Sequence, residues 1–256
     1  VPANGAGVLF IHGGPTSQFM DTFEPQVLFF VQRGYTLLLP NPRGSSGYGR
    51  RFEDLNNGDW GHGDLQDVIF GAEELKKLDD VDAGKMAITG TSYGGIMSMA
   101  AVAFAPGAFQ AAIPMSGYGD FVHMKAEQEL RHIKLLEYEF GTLEENEAVY
   151  RRCSPIFKVA EATTPCFVIH GTGKYPQSAA GKAFALALER EYKTFAYKTY
   201  PGETYYVAST PNVRQMLLDM DAFFRLYLDL PPAPVEDAAT AEIATGPLSI
   251  PRDMAE

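Results

Sequence analysis

The stretch Ile88-Thr89-Gly90-Thr91-Ser92-Tyr93-Gly94-Gly95 restricts the fold more than any other part of the chain. An apolar run, Met86 to Ile88, leads into it, and a helical pattern from Ile96 to Phe104 follows. A lone serine set among near-side-chain-free neighbours matches the Gly-x-Ser-x-Gly corner between a strand and a helix. The glycines are needed for steric reasons: the serine sits on a strained turn, so residues two positions away can carry almost no side chain. Such a corner lifts the hydroxyl clear of a sheet and aims the first N–H groups of the helix at it. Ser92 is therefore the candidate nucleophile.

The flanking pattern extends this reading to the whole chain. Gly7 to Ile11 is a continuous apolar run that stops at His12-Gly13-Gly14-Pro15, as a buried parallel strand does. In hydrolases with this corner, the turn after such a strand supplies an N–H to the oxyanion hole, which makes Gly14 a candidate donor. His12 precedes the serine in the chain, the wrong order for a catalytic base in this fold, so a structural hydrogen-bonding role is expected of it. Phe23 to Gln32 has helical spacing, and Tyr35 to Leu39 reads as the next buried strand. Asn41 to Gly49 is a Gly-rich loop. It lacks the Gly-Lys-Ser/Thr ending of a phosphate-binding loop, and its Arg43 is expected to tie loops together.

A long amphipathic helix is predicted from Asp64 through Leu75, with Lys76 and Lys77 in its last turn. Strands follow at Lys85–Thr89 and Phe109–Met115, so helix and strand alternate as in an α/β fold with a parallel sheet. Ser116 to Thr164 breaks the rhythm with charged helical pieces, Met124–Tyr138 and Glu144–Arg152, and predicts an excursion over the sheet. His123 and His132 lie in it, where surface or helix-packing roles are expected. A strand at Pro165–Ile169 ends in His170-Gly171; a helix (Ala179–Glu191), a strand (Thr194–Tyr200) and a long helix (Val213–Leu230) complete the pattern. After Leu230 the chain turns Pro-, Ala- and Glu-rich. Residues 1–230 therefore read as one domain and 231–256 as a flexible tail.

Composition narrows the partners. A formal net charge of −11 argues against nucleic acid and anionic membrane, and no apolar stretch is long enough to cross a bilayer. The two cysteines, Cys153 and Cys166, allow one disulfide at most; Cys166 reads as a buried core thiol. Neither a metal site nor a cofactor is indicated. Few cysteines and an acidic surface suit the cytoplasm.

Several of these stretches occur together, and in order, in one family. His12-Gly13-Gly14-Pro15, Asn41-Pro42-Arg43-Gly44-Ser45-Ser46-Gly47-Tyr48-Gly49, Gly58-Asp59-Trp60-Gly61, Gly90-Thr91-Ser92-Tyr93-Gly94-Gly95, Ser154-Pro155 and His170-Gly171 resemble the catalytic domain of the prolyl oligopeptidase family, in its acylaminoacyl-peptidase and dipeptidyl-peptidase branch. The resemblance implies an α/β-hydrolase fold, a mostly parallel sheet with helices on both faces. It implies a serine peptidase acting on a peptide or small acyl substrate, with Ser92 as nucleophile and the N–H groups of Gly14 and Tyr93 as oxyanion hole. It also implies that a β-propeller and the first strands of the sheet belong before Val1. On that reading the chain is a fragment or a truncated relative, with a propeller or an oligomer partner for the surface left open.

The resemblance fails at the other two members of the catalytic triad. Where the family places its acid, the text reads His170-Gly171-Thr172-Gly173-Lys174, with a lysine in the slot. Where the family places its histidine, after Tyr-Pro-x-Glu, Tyr200-Pro201-Gly202-Glu203-Thr204-Tyr205 offers Tyr205. The chain's five histidines are His12, His62, His123, His132 and His170, and none follows His170. A serine hydroxyl is a poor nucleophile until a base takes its proton. Two readings remain open: a serine hydrolase with an altered base, for which Lys174, His170 and His132 are candidates, and a triad-deficient peptide-binding or regulatory module. A lipase-type esterase of the same fold is a third, less favoured by the motif set.

Overall fold

The computed structural model describes residues 1–123, 126–171 and 177–233. Six strands form one sheet: β1 (Gly5–Ile11), β2 (Thr36–Leu38), β3 (Val81–Thr91), β4 (Ala111–Met115), β5 (Cys166–Gly171) and β6 (Phe195–Tyr200). Their order is β2-β1-β3-β4-β5-β6, and every adjacent pair is parallel. The helices between them are α1 (Pro25–Val31), the short α2 (Arg50–Glu53), α3 (Gly63–Leu75), α4 (Tyr93–Phe104), α5 (Ala126–Phe140), α6 (Leu143–Cys153), α7 (Gln177–Arg190) and α8 (Thr210–Tyr227). This is the parallel α/β architecture that the alternation of patterns predicts, and the α/β-hydrolase fold that the resemblance implies.

Alternation along each strand divides the core in two. Leu9, Ile11, Met86, Ile88, Ala112, Cys166 and Val168 face α3, α4 and α7, where Leu65, Val68, Ile96, Met97 and Phe184 meet them. Val8, Phe10, Ala87, Ile113, Phe167 and Ile169 face the opposite layer, with Phe30 of α1 and Met216, Met220, Phe223 and Phe224 of α8. Both faces of the sheet are dry, as the continuous apolar runs require. The chain leaves β1 for β2 on one side and returns to place β3 on the other. That reversal makes the C-terminal ends of β1 and β3 a topological switch point, the place where open α/β sheets bind ligands.

Some expectations change at this level. The strand predicted over Tyr35–Leu39 is three residues, all half-buried, because it is the edge of the sheet. Lys76 caps α3 and Lys77 follows it, so neither lies in the last turn; each pairs instead with a glutamate one turn back, Glu73 and Glu74. The disulfide left open by two cysteines does not form: Cys153 and Cys166 are free and buried, Cys166 on β5 as expected of a core thiol. The predicted tail lies, from residue 234 on, outside the described residues. Among the described residues, no helix is long and apolar enough to cross a membrane.

Candidate active site

Ser92 stands between the end of β3 and the first residue of α4, at φ 62° and ψ −116°. A non-glycine residue at positive φ in this region costs on the order of 1–3 kcal/mol and persists only where the surroundings enforce it. Here they do. A side chain at Gly94 would put its first carbon 2.1 Å from the Ile11 carbonyl, and one at Gly95 2.4 Å from the Met115 carbonyl. Only glycine lets α4 descend this far between β1 and the chain after β4. The Ser92 N–H donates to the Met115 carbonyl at 3.0 Å, and the Ile96 N–H closes the first helical turn on the Ser92 carbonyl at 2.9 Å. None of the hydrogen bonds among the described residues engages the Ser92 hydroxyl, and the residue is half-buried just past the C-terminal end of β3.

Gly13 lies against this corner. A carbon added to it would sit 3.6 Å from the Ser92 Cβ. Gly14 follows at φ 127°, a conformation open to glycine, and a side chain there would run into the Thr16 amide at 2.7 Å. His12 fastens this turn. Its Nδ1 faces the Gly13 carbonyl at 2.7 Å and its Nε2 faces the Ser45 hydroxyl at 2.9 Å. Burial lowers its pKa, against the opposing Gly13 bond. With both ring nitrogens occupied, His12 has the structural role expected of it. Arg43 ties its loop to a helix rather than to another loop, gripping Asp67 of α3 through Nε and Nη2 at 2.8 Å each.

Tyr93, the residue after the serine, sends its side chain downward and leaves its N–H at the open start of α4, among the helix donors that lack intrahelical partners. Its hydroxyl donates to Asp64 and receives the Asn56 amide at 3.3 Å, and its ring meets Trp60 edge-on with centroids 5.3 Å apart. The Trp60 indole N–H reaches Glu139 of α5 at 3.4 Å. A polar network is thus buried directly beneath the corner, and the sequence reading missed it: Asp64 looked like the start of a helix, Glu139 like one more charge of the excursion. Burial raises the Asp64 carboxyl to about 6 even though Tyr93 and the Leu65 and Gly61 amides favour its ionised form. Burial raises Glu139 to about 7 as well, with Asp54, Glu53 and Asp64 adding repulsion.

A carboxyl raised in the folded state favours folding while protonated, so stability falls as pH climbs from about 4.5 through about 7. Glu139→Gln is expected to raise stability at pH 8 by about 2 kcal/mol and to flatten that part of the profile. Urea unfolding at pH 5 and pH 8 measures it, and equal effects at both pH values would contradict the assignment.

The loop after β6 keeps its scaffold. Glu203 accepts the Ala208 and Ser209 N–H groups at 2.9 and 3.0 Å, the Asn212 amide at 2.8 Å, and the Ser209 hydroxyl. These donors, the Ser209 hydroxyl foremost, hold its carboxyl down at about 2. Two residues on, Tyr205 stands in the slot named above. Its carbonyl accepts the Ser116 hydroxyl, which ties the loop to the residue next to Met115. Its ring lies 5.9 Å from that of His132 on α5, and His132 lies 5.1 Å from Tyr118. Lys174, the residue in the acid slot, lies outside the described residues.

The remaining imidazoles are placed elsewhere. His170, at the end of β5, is 1% exposed; one ring nitrogen bonds the Gly117 backbone, Nε2 has no partner, and burial lowers its pKa to about 4. Helix α7 touches this ring so closely that a side chain on Gly181 would strike it at 1.9 Å. His62 stacks on Phe104, with centroids 5.0 Å apart, and His123 pairs with Asp120 at 2.8 Å.

A parallel sheet with a strained serine between strand and helix, set against a glycine turn from the adjacent strand, defines the serine-hydrolase class of α/β fold. Residues 21–230 match the model of the prolyl oligopeptidase family, and the chain belongs to that family. Among curated proteins it is similar to dipeptidyl-peptidase 5 of Aspergillus oryzae, 30% identical over 79% of this chain and 29% of that protein. It is also similar to dipeptidyl peptidase family member 6 of Caenorhabditis elegans, 26% identical over 86% of this chain and 31% of that protein. Among solved structures, acylaminoacyl peptidase of Pyrococcus horikoshii matches with TM-score 0.80 and 26% identity, over 92% of this chain and 40% of that one. A puromycin-hydrolyzing peptidase of Mycobacterium tuberculosis matches with TM-score 0.78 and 28% identity, over 88% of this chain and 35% of that one. The chain therefore spans about a third of the length of these relatives.

Proposed function

We propose that this domain is a serine-type hydrolase that accepts the acyl group of a peptide or small acyl substrate on Ser92, with Gly14 and Tyr93 N–H groups holding the carbonyl oxygen and with an altered base. The observation that carries this reading is the Ser92 backbone: a serine held at φ 62° between glycines that backbone contacts forbid from changing. Strain of this kind is kept where a hydroxyl must be presented. Substrate carbonyl oxygen entering at this end of the sheet would meet helix-start donors on one side and the Gly13-Gly14 turn on the other. That arrangement favours charge developing on the oxygen as Ser92 attacks. Peptides are the substrate class the family suggests. A propeller or another partner covering this end of the sheet is consistent with the length of the relatives.

A second reading has its own support: Tyr205 in the histidine slot and a Ser92 hydroxyl that none of the described hydrogen bonds engages favour a module that binds peptide carbonyls without turning them over. Without an activating base, an oxyanion hole and binding alone leave about 10³–10⁴-fold over water. Hydrolysis of a p-nitrophenyl ester and of a peptide anilide separates the two. The hydrolase reading expects a slow turnover that Ser92→Ala abolishes. Turnover that survives Ser92→Ala, or none above buffer, would contradict it.

A further inference from the structure

We infer that Asp64 is a positioning residue for the reaction at Ser92: by holding the Tyr93 hydroxyl, it fixes the direction of the Tyr93 N–H at the start of α4. The inference rests on the hydrolase reading above, in which that N–H is one of two donors to the substrate oxygen, and it names what keeps the donor in place. The first turn of α4 gives the reason a tether is needed. It opens with Tyr93, Gly94 and Gly95, and the Ser92 side chain makes no capping hydrogen bond to it. Glycine leaves the backbone freer than any other residue. Close contacts at Gly94 and Gly95 limit how near α4 comes to β1 and β4. Of these three residues, only Tyr93 has a side chain that can hold the helix start against rotation.

The tether is fixed at both ends. Asp64, in the first turn of α3, is fully buried. Its Oδ1 accepts the Gly61 and Leu65 N–H groups at 2.8 Å each, and its Oδ2 accepts the Tyr93 hydroxyl. The same hydroxyl oxygen receives the Asn56 amide at 3.3 Å. Asn56 is wedged in its turn: a side chain on Gly44 would bring its first carbon 2.3 Å from the Asn56 Nδ2. Asp64, Asn56 and Tyr93 are all buried, and both oxygens of the carboxylate have set donors. Burying a carboxyl costs free energy that an apolar pair at positions 64 and 93 would not incur. A costlier pair on the residue that follows the nucleophile is what a positioning role requires.

A donor turned off line costs turnover rather than binding. Charge on the substrate oxygen develops only as Ser92 attacks, so a misdirected N–H weakens the transition state more than the bound ground state. Losing a whole oxyanion donor costs about 10²–10³ in kcat. A donor that is kept but loosened loses part of this, about tenfold. A residue that served the fold alone would lower the folded fraction and leave the kcat of each folded molecule as it was.

The test is hydrolysis of a p-nitrophenyl ester, with kcat referred to the Ser92 titrated by a fluorophosphonate. Tyr93→Phe keeps the ring and the N–H and removes only the hydroxyl. It is expected to lower kcat about tenfold and to change KM by less than about twofold. Asp64→Asn is expected to lower kcat about tenfold in the natural sequence but by less than about twofold on top of Tyr93→Phe, because its effect passes through that hydroxyl. Equal losses from Asp64→Asn in both backgrounds, a loss carried by KM, or an unchanged kcat in Tyr93→Phe overturns the inference. Turnover of the natural sequence that survives Ser92→Ala, or none above buffer, would instead defeat the hydrolase reading, and the inference with it. If Asp64→Asn fails to fold, the kcat and KM of Tyr93→Phe decide.

Discussion

Replacing Tyr205 by histidine together with Lys174 by aspartate is expected to raise the labelling rate of Ser92 by about 10²-fold or more. The magnitude is that of a positioned general base. The gain is expected because the loop that would carry the new imidazole is already shaped. Glu203 ties down Ala208, Ser209 and Asn212, and the Ser116 hydroxyl holds the Tyr205 carbonyl. The loop also rests directly on the end of β5: a side chain at Gly171 would strike the Thr204 carbonyl at 1.9 Å. A residue exchanged on a frame this fixed changes chemistry more than shape. Stopped labelling with a fluorophosphonate, followed over time at neutral pH, measures the rate. A double variant that folds yet labels no faster than the natural sequence would show that position 205 does not face the serine.

The second large effect is on folding. Gly94→Ala is expected to cost more than about 4 kcal/mol or to prevent folding, because the added carbon lands 2.1 Å from the Ile11 carbonyl and 3.1 Å from that of His12. Neither atom can move without breaking β1 from β3. Gly107→Ala is the contrast: at φ 83° a side chain there meets nothing within 4 Å, so only backbone strain of about 1 kcal/mol applies. Urea midpoints of the two variants measure the difference. Similar midpoints would contradict the packing described for the corner.

These two residues also show what was legible in the chain and what was not. The strand–serine–helix corner and the glycine turn after β1 could be read directly, because each is a local steric demand that leaves glycines at fixed offsets, and the alternation of strands and helices could be read from hydrophobic periodicity. The absent imidazole after His170 was legible too, as a plain matter of residue order. The packing of His132 against Tyr205 could not be read, since no local pattern says that α5 folds back onto a residue more than seventy positions away. The same holds for Asp64, Tyr93, Trp60 and Glu139. Tyr93 and Trp60 stand in motifs of the chain, but that their side chains meet Asp64 and Glu139 beneath the serine is a product of tertiary packing. Edge effects escaped for a related reason: Tyr35–Leu39 reads like a central strand, and only the pairing order places its strand, Thr36–Leu38, at the rim.

The central claim is that Ser92 is a presented, reactive hydroxyl. Its most direct measurement is peptide mapping by mass spectrometry after exposure of the folded chain to a micromolar fluorophosphonate. A single phosphonyl adduct is expected on the peptide that contains Ser92, lost in Ser92→Ala while that variant keeps its urea midpoint. An adduct elsewhere, or an unmodified Ser92 in a chain shown to be folded, would contradict it.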